Sequence, residues 1–231
     1  MRLTYVLLAG AILTSLSASA GDTIPVHRTA DFTPDGRGSA PAWERAQWHA
    51  MPRVGDSSSD YTSRFRILYS ETGVYILFHG TDRKLTSPYR HDFEDLYLAD
   101  VFEAFFHTQT SDPVYFEYEI SPRNRELVLI IPNLGGRFFG WAPWKYDADR
   151  RTVKRVSIQK ERGSMIGWMA EVYIPFRLLE PLRNSPPKPG TVWNANFCRL
   201  DYDSGRIEKW AWAPVRTGFH EFERYLALRF D

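Results

Sequence analysis

Short runs of alternating hydrophobic and polar residues dominate the sequence, and sustained helical periodicity is almost absent. Residues 63–69 place Phe65, Ile67 and Tyr69 on one side and Arg64, Arg66 and Leu68 on the other. Ser70-Glu71-Thr72-Gly73 then turns the chain into a second run at 74–79, so the pair reads as a hairpin. Further strands are expected at 100–108, 114–121, 126–131, 152–160, 165–173, 192–202, 207–213 and 225–230. About ten strands joined by turn residues predict an all-β fold, an antiparallel β-sandwich. Helix is expected only in short pieces, near 43–47 and at 176–182, where Pro186 and Pro187 stop it. Residues 133–146 combine Gly135, Gly136, Gly140 and Pro143 with five aromatic residues, a composition that predicts a long loop able to carry function.

The first 20 residues follow a different pattern. Arg2, an apolar run from Tyr5 to Leu16 and the small-residue ending Ala18-Ser19-Ala20 read as a cleavable signal peptide, followed by one domain over 21–231. The apolar run is shorter than the roughly 20 residues that span a bilayer, so no integral membrane anchor is expected. The predicted location is secreted or periplasmic.

Composition narrows the chemistry. The 231 residues carry a formal net charge of +1, which gives no nucleic-acid footprint, and aromatic residues make up 15%. The single cysteine, Cys198, rules out an internal disulfide, so the core must hold unaided; Cys198 reads as a buried strand residue. No Cys-x-x-Cys-His occurs, which excludes covalent haem of the c type. His79, His107 and His220 lack the spacing of a zinc site or of a Ser-His-Asp relay.

Landmarks along most of the domain resemble the family 9 carbohydrate-binding modules, in the form found as exported single-domain proteins. They are Pro41-Ala42-Trp43, the 65–78 hairpin ending at Asp82, Asp100-Val101-Phe102-Glu103-Ala104-Phe105 and Tyr115-Phe116-Glu117-Tyr118-Glu119. Trp168-Met169-Ala170-Glu171, Ile174-Pro175-Phe176, Gly190, Trp193, Asn196, Arg199, Trp210 and Phe219-His220 continue them in order. The resemblance implies a jelly-roll β-sandwich with bound calcium that binds sugar without catalysis. It places two sugar-stacking aromatic residues at Tyr97 and Phe219, a ligand carboxylate at Glu103, and polar neighbours at Glu119 and at Asn196 or Arg199.

A pyranose offers a C–H face and a rim of hydroxyls, so a binder needs flat rings beside fixed donors and acceptors. Tyr97, Glu103 and Phe219 meet that need, with Trp141 and Trp144 of the glycine-rich loop as further candidates against an alternative role in the core. Calcium takes six to eight oxygens. The acidic candidates are Asp82, Asp92, Glu94, Asp95 and Asp100, with Asp82, Asp95 and Asp100 as the expected ligands. Asp201-Tyr202-Asp203-Ser204-Gly205 resembles the opening of an EF-hand loop but lacks its closing Glu, and is expected only to turn a hairpin. The expected partner is a mono-, oligo- or polysaccharide, in a protein linked to glycan breakdown. Two alternatives stay open: a glycosidase using Glu103 with a second carboxylate such as Glu117 or Glu119, and a structural module whose sugar site has decayed.

Overall fold

The computed structural model describes residues 23–56, 59–134 and 137–231; the expected signal peptide lies outside them. The strands in chain order are β1 (Ile24–Arg28), β2 (His49–Ala50), β3 (Ser63–Tyr69), β4 (Gly73–Thr81), β5 (Val101–His107), β6 (Val114–Ile120) and β7 (Glu126–Leu134). They continue as β8 (Arg137–Phe138), β9 (Ala142–Pro143), β10 (Val153–Glu161), β11 (Ser164–Pro175), β12 (Val192–Asp201), β13 (Glu208–Ala211) and β14 (Leu226–Phe230). The expected helices shrink to a 3-10 turn at Pro41–Arg45 and one four-residue α-helix, Phe176–Leu179. No helix among the described residues is long and apolar enough to cross a membrane.

Pairing follows one path, β10-β11-β4-β3-β1-β14-β12-β5-β6-β7-β8, with β13 on β12, β2 on β3 and β9 on β7. The path doubles back at β1. Its first three residues pair with β14 and its last two with β3, both parallel, while the other strand pairs are antiparallel. The two halves thus face each other as the layers of a sandwich. Phe65 of β3 stacks on Phe197 of β12 at 3.8 Å, and Phe78 of β4 stacks on Phe102 of β5 at 5.0 Å. Period-two alternation supplies these inward side chains: Phe102, Ala104 and Phe106 of β5 and Phe116, Tyr118 and Ile120 of β6 all enter the buried core. Each buried Phe or Ile among them contributes roughly 1.5–3 kcal/mol by leaving water.

Both outer faces of the sandwich are covered in part, which explains why β4 and β5 read as almost continuously apolar. The β10–β11–β4–β3 layer is covered by the segment preceding β2, through a small cluster around Trp43, Tyr75 and Leu77. Glu171 of β11, fully buried, anchors that segment. Its carboxylate accepts the backbone N–H groups of Asp35 and Gly36 at 2.8 Å and the Trp43 indole N–H at 2.7 Å. Gly36 sits at φ +80°, where a side chain would press on the Arg155 backbone, so glycine is needed for this approach.

Candidate functional site

The outer face of the other layer carries a second cluster that includes Leu96, Phe105, Tyr115, Phe219, Phe222 and Tyr225. Between these covering segments the sheet forms the floor of a pocket of about 250 Å³. Alternation decides the floor. With Phe102 and Ala104 pointing inward, Glu103 of β5 points outward; with Phe116, Tyr118 and Ile120 inward, Glu117 and Glu119 of β6 do the same. Glu103 lies directly opposite Glu119 across the strand pair. Leu129 and Leu200 complete the floor, and Tyr97, Leu98, Trp141, Tyr202, Ile207, Lys209, Phe219 and His220 form the walls.

The wall is mostly aromatic. Tyr97 lies on a 3-10 turn, Leu96–Leu98, with its ring 5.4 Å from Trp141 in an edge-to-face arrangement. Trp141 is 46% exposed and Phe138, beside it, stacks on His220 at 4.3 Å. The Tyr115 hydroxyl hydrogen-bonds His220 Nδ1 at 2.8 Å, and burial lowers the His220 value to about 4, so this imidazole is neutral. Phe219 is 7% exposed and packs edge-on against Phe105, so it closes the pocket more than it projects from it.

The three glutamates are 1–3% exposed, and an oxygen from each lies within 4.8 Å of the others. Burial pushes all three carboxyls up, Glu117 to about 8. Glu117 adds a repulsive charge to Glu103 and Glu119, whereas Lys209 opposes the rise at Glu103. Neither oxygen of Glu119, nor Oε2 of Glu117, receives a protein hydrogen bond from an N–H or hydroxyl among the described residues.

Of the sequence candidates, Tyr97, Glu103, Glu119, Trp141 and Phe219 meet at this pocket. Three others lie elsewhere. Trp144 packs against the inter-layer core and donates its indole N–H to the Leu178 carbonyl at 3.1 Å. Asn196 shares the outward parity of β12, but its side-chain oxygen accepts the backbone N–H groups of Phe197 and Ala213. Arg199 has the inward parity of Trp193, Ala195 and Phe197. It is buried between the layers and paired with Asp82 at 3.0 Å and Asp201 at 2.6 Å. Glu117, Tyr202, Lys209 and His220 enter the pocket although only Glu117 stood out chemically in the sequence, as a possible partner of Glu103.

The acidic residues expected to hold calcium do not gather as a set. Asp95 is exposed, and Asp100 is buried with its carboxylate accepting the backbone N–H groups of Thr86 and Tyr202. Asp82 instead meets Asp201 and Asp203 within 4.8 Å, so the segment expected only to turn a hairpin supplies two carboxylates. Burial, with the repulsion of neighbouring carboxylates, raises Asp82 to about 7 and Asp100 to about 8, although Arg199, paired with Asp82 and Asp201, opposes the rise at Asp82. Clustered oxygens with surplus negative charge are the donor set that calcium takes.

The family model described as carbohydrate family 9 binding domain-like matches residues 35–213, well over half of the chain. No curated protein matches the sequence significantly. Among solved structures, a "putative carbohydrate-binding protein" of Bacteroides uniformis is similar with a TM-score of 0.75 at 15% identity, over 91% of this chain and 99% of that one. A family 9 carbohydrate-binding module of Caldicellulosiruptor kristjanssonii in complex with cellotriose is similar with a TM-score of 0.64 at 14% identity, over 91% and 94%. The same organism's module in complex with glucose gives 0.60 at 15%, over 90% and 95%. At these identities the structural likeness is one of fold. The family match covers β2 to β13, the carboxylate floor and most of the pocket wall, and by it the chain belongs to the carbohydrate family 9 binding domain-like proteins.

Proposed function

We propose that the protein binds saccharides in the pocket over Glu103, Glu117 and Glu119, without catalysis, and that it acts outside the cytoplasm in glycan breakdown. The observation that carries this reading is a floor of buried hydrogen-bonding carboxylates beneath an aromatic wall, within a chain of the family 9 type. Tyr97 and Trp141 offer faces and edges to the C–H side of a sugar ring, while the carboxylates accept from its hydroxyls. That structurally similar modules are found in complex with glucose and with cellotriose supports a saccharide ligand.

Binding is favoured over hydrolysis by the placement of the acids. A glycosidase sets two carboxyl groups on opposite sides of the scissile bond, whereas here all three share one floor. The same reading assigns a structural calcium ion to Asp82, Asp201 and Asp203, at the ends of β4 and β12, none of which lines the sugar pocket. Calorimetric titration with hexoses, xylose and their oligomers tests the function. Saturable binding that Glu103→Gln weakens supports it, and absence of binding across the panel with calcium present overturns it.

A further inference from the structure

Resting on the saccharide reading, we propose that the preferred ligand is an amino sugar whose protonated amine docks on Glu103, Glu117 and Glu119. Three features of the pocket converge on this. The first is spacing. An ammonium group has three N–H donors in a tripod, and hydrogen bonds of about 2.8 Å at tetrahedral angles put their acceptors roughly 4.6 Å apart. The three glutamates present one oxygen each, none more than 4.8 Å from the others, so all three lie within reach of one such tripod.

The second feature is the unmet demand of the floor. Glu119 is 1% exposed and faces the pocket with both oxygens lacking a protein donor, as does one oxygen of Glu117. Buried carboxylates without donors are costly when charged, so burial holds all three carboxyls above their ordinary range and the floor retains protons. A neutral sugar hydroxyl leaves that floor protonated. An ammonium supplies N–H donors and favours release of a floor proton to solvent, so that the carboxylate formed balances the bound cation.

The third feature is the wall. Above the three glutamates it offers chiefly rings and aliphatic groups, with Lys209 also lining the pocket. Tyr97 and Trp141 favour an organic cation through their ring faces.

The test compares glucose, glucosamine and N-acetylglucosamine by calorimetry at about pH 6.5, below the ordinary range of an aliphatic amine, with and without EDTA. Glucosamine binding about tenfold tighter than both others, unaffected by EDTA, is the expected result. The preference should fall toward parity in Glu119→Gln, and the wild-type ratios stand by themselves should that variant not fold. Equal affinity for glucose and glucosamine overturns the amine assignment while leaving saccharide binding intact; no binding of any sugar overturns both. A preference that requires added calcium and is lost in EDTA assigns the carboxylates to a metal and also overturns the proposal.

Discussion

Replacing Glu117 by Gln should make the protein less sensitive to alkali. The amide is nearly isosteric with the protonated acid, so it preserves the neutral form of the floor while removing the ability to ionise. Burial raises the folded-state value of Glu117 from 4.5 to about 8. A raised carboxyl favours the folded state at low pH, and that contribution is lost as pH rises through the folded value, since the native protein holds a proton the unfolded chain has released. Integrated from pH 7 to pH 9, one such group removes about 1.4 kcal/mol of stability. Histidines do not obscure this window. Burial lowers His49, His79, His107 and His220, so their contribution grows with pH and is complete near pH 7. Asp82 and Asp100, raised in the same sense, are common to both proteins and cancel in the difference. Urea denaturation at pH 7 and pH 9 should therefore show wild type losing about 1.4 kcal/mol more than Glu117→Gln. Parallel losses in the two proteins would refute the buried, protonated floor.

Trp141→Ala, at an exposed ring on the pocket wall, should weaken sugar binding about fivefold with little change in melting temperature. Trp144→Ala should do the reverse, lowering the melting temperature through its lost packing and its bond to the Leu178 carbonyl. Calcium at a hundredfold excess over its dissociation constant should stabilise the protein by about 2.7 kcal/mol in denaturant titrations, and Asp203→Asn should reduce that gain. Glu171→Ala leaves the Asp35 and Gly36 N–H groups and the Trp43 indole without their acceptor, and should cost about 3 kcal/mol or more by denaturant midpoint.

The sandwich was legible because short β-type runs such as the alternating β3 recur between turn residues, and period-two parity along β5 and β6 gives Glu103, Glu117 and Glu119 one face. Parity also places Arg199 with Trp193, Ala195 and Phe197, inside the sandwich, which a reading by resemblance alone passes over. β1 left no such trace. Five residues with a proline and two basic positions, they become a strand through partners near the far end of the chain and in β3. The acidic cluster was hidden for a similar reason: Asp201 and Asp203 look incomplete as a local loop, and their third carboxylate, Asp82, follows β4. Within 133–146, β8 and β9 arise by pairing with β7 against a glycine-rich composition that suits a loop.

A crystal structure of the protein with a bound amino-sugar or cello-oligosaccharide tests the central claim most directly. The account predicts a sugar ring against Tyr97 and Trp141 with its polar groups on Glu103, Glu117 and Glu119. A sugar bound elsewhere, for instance on Trp48 between Arg64 and Arg66 on the opposite layer, with this pocket free of ligand, would contradict it.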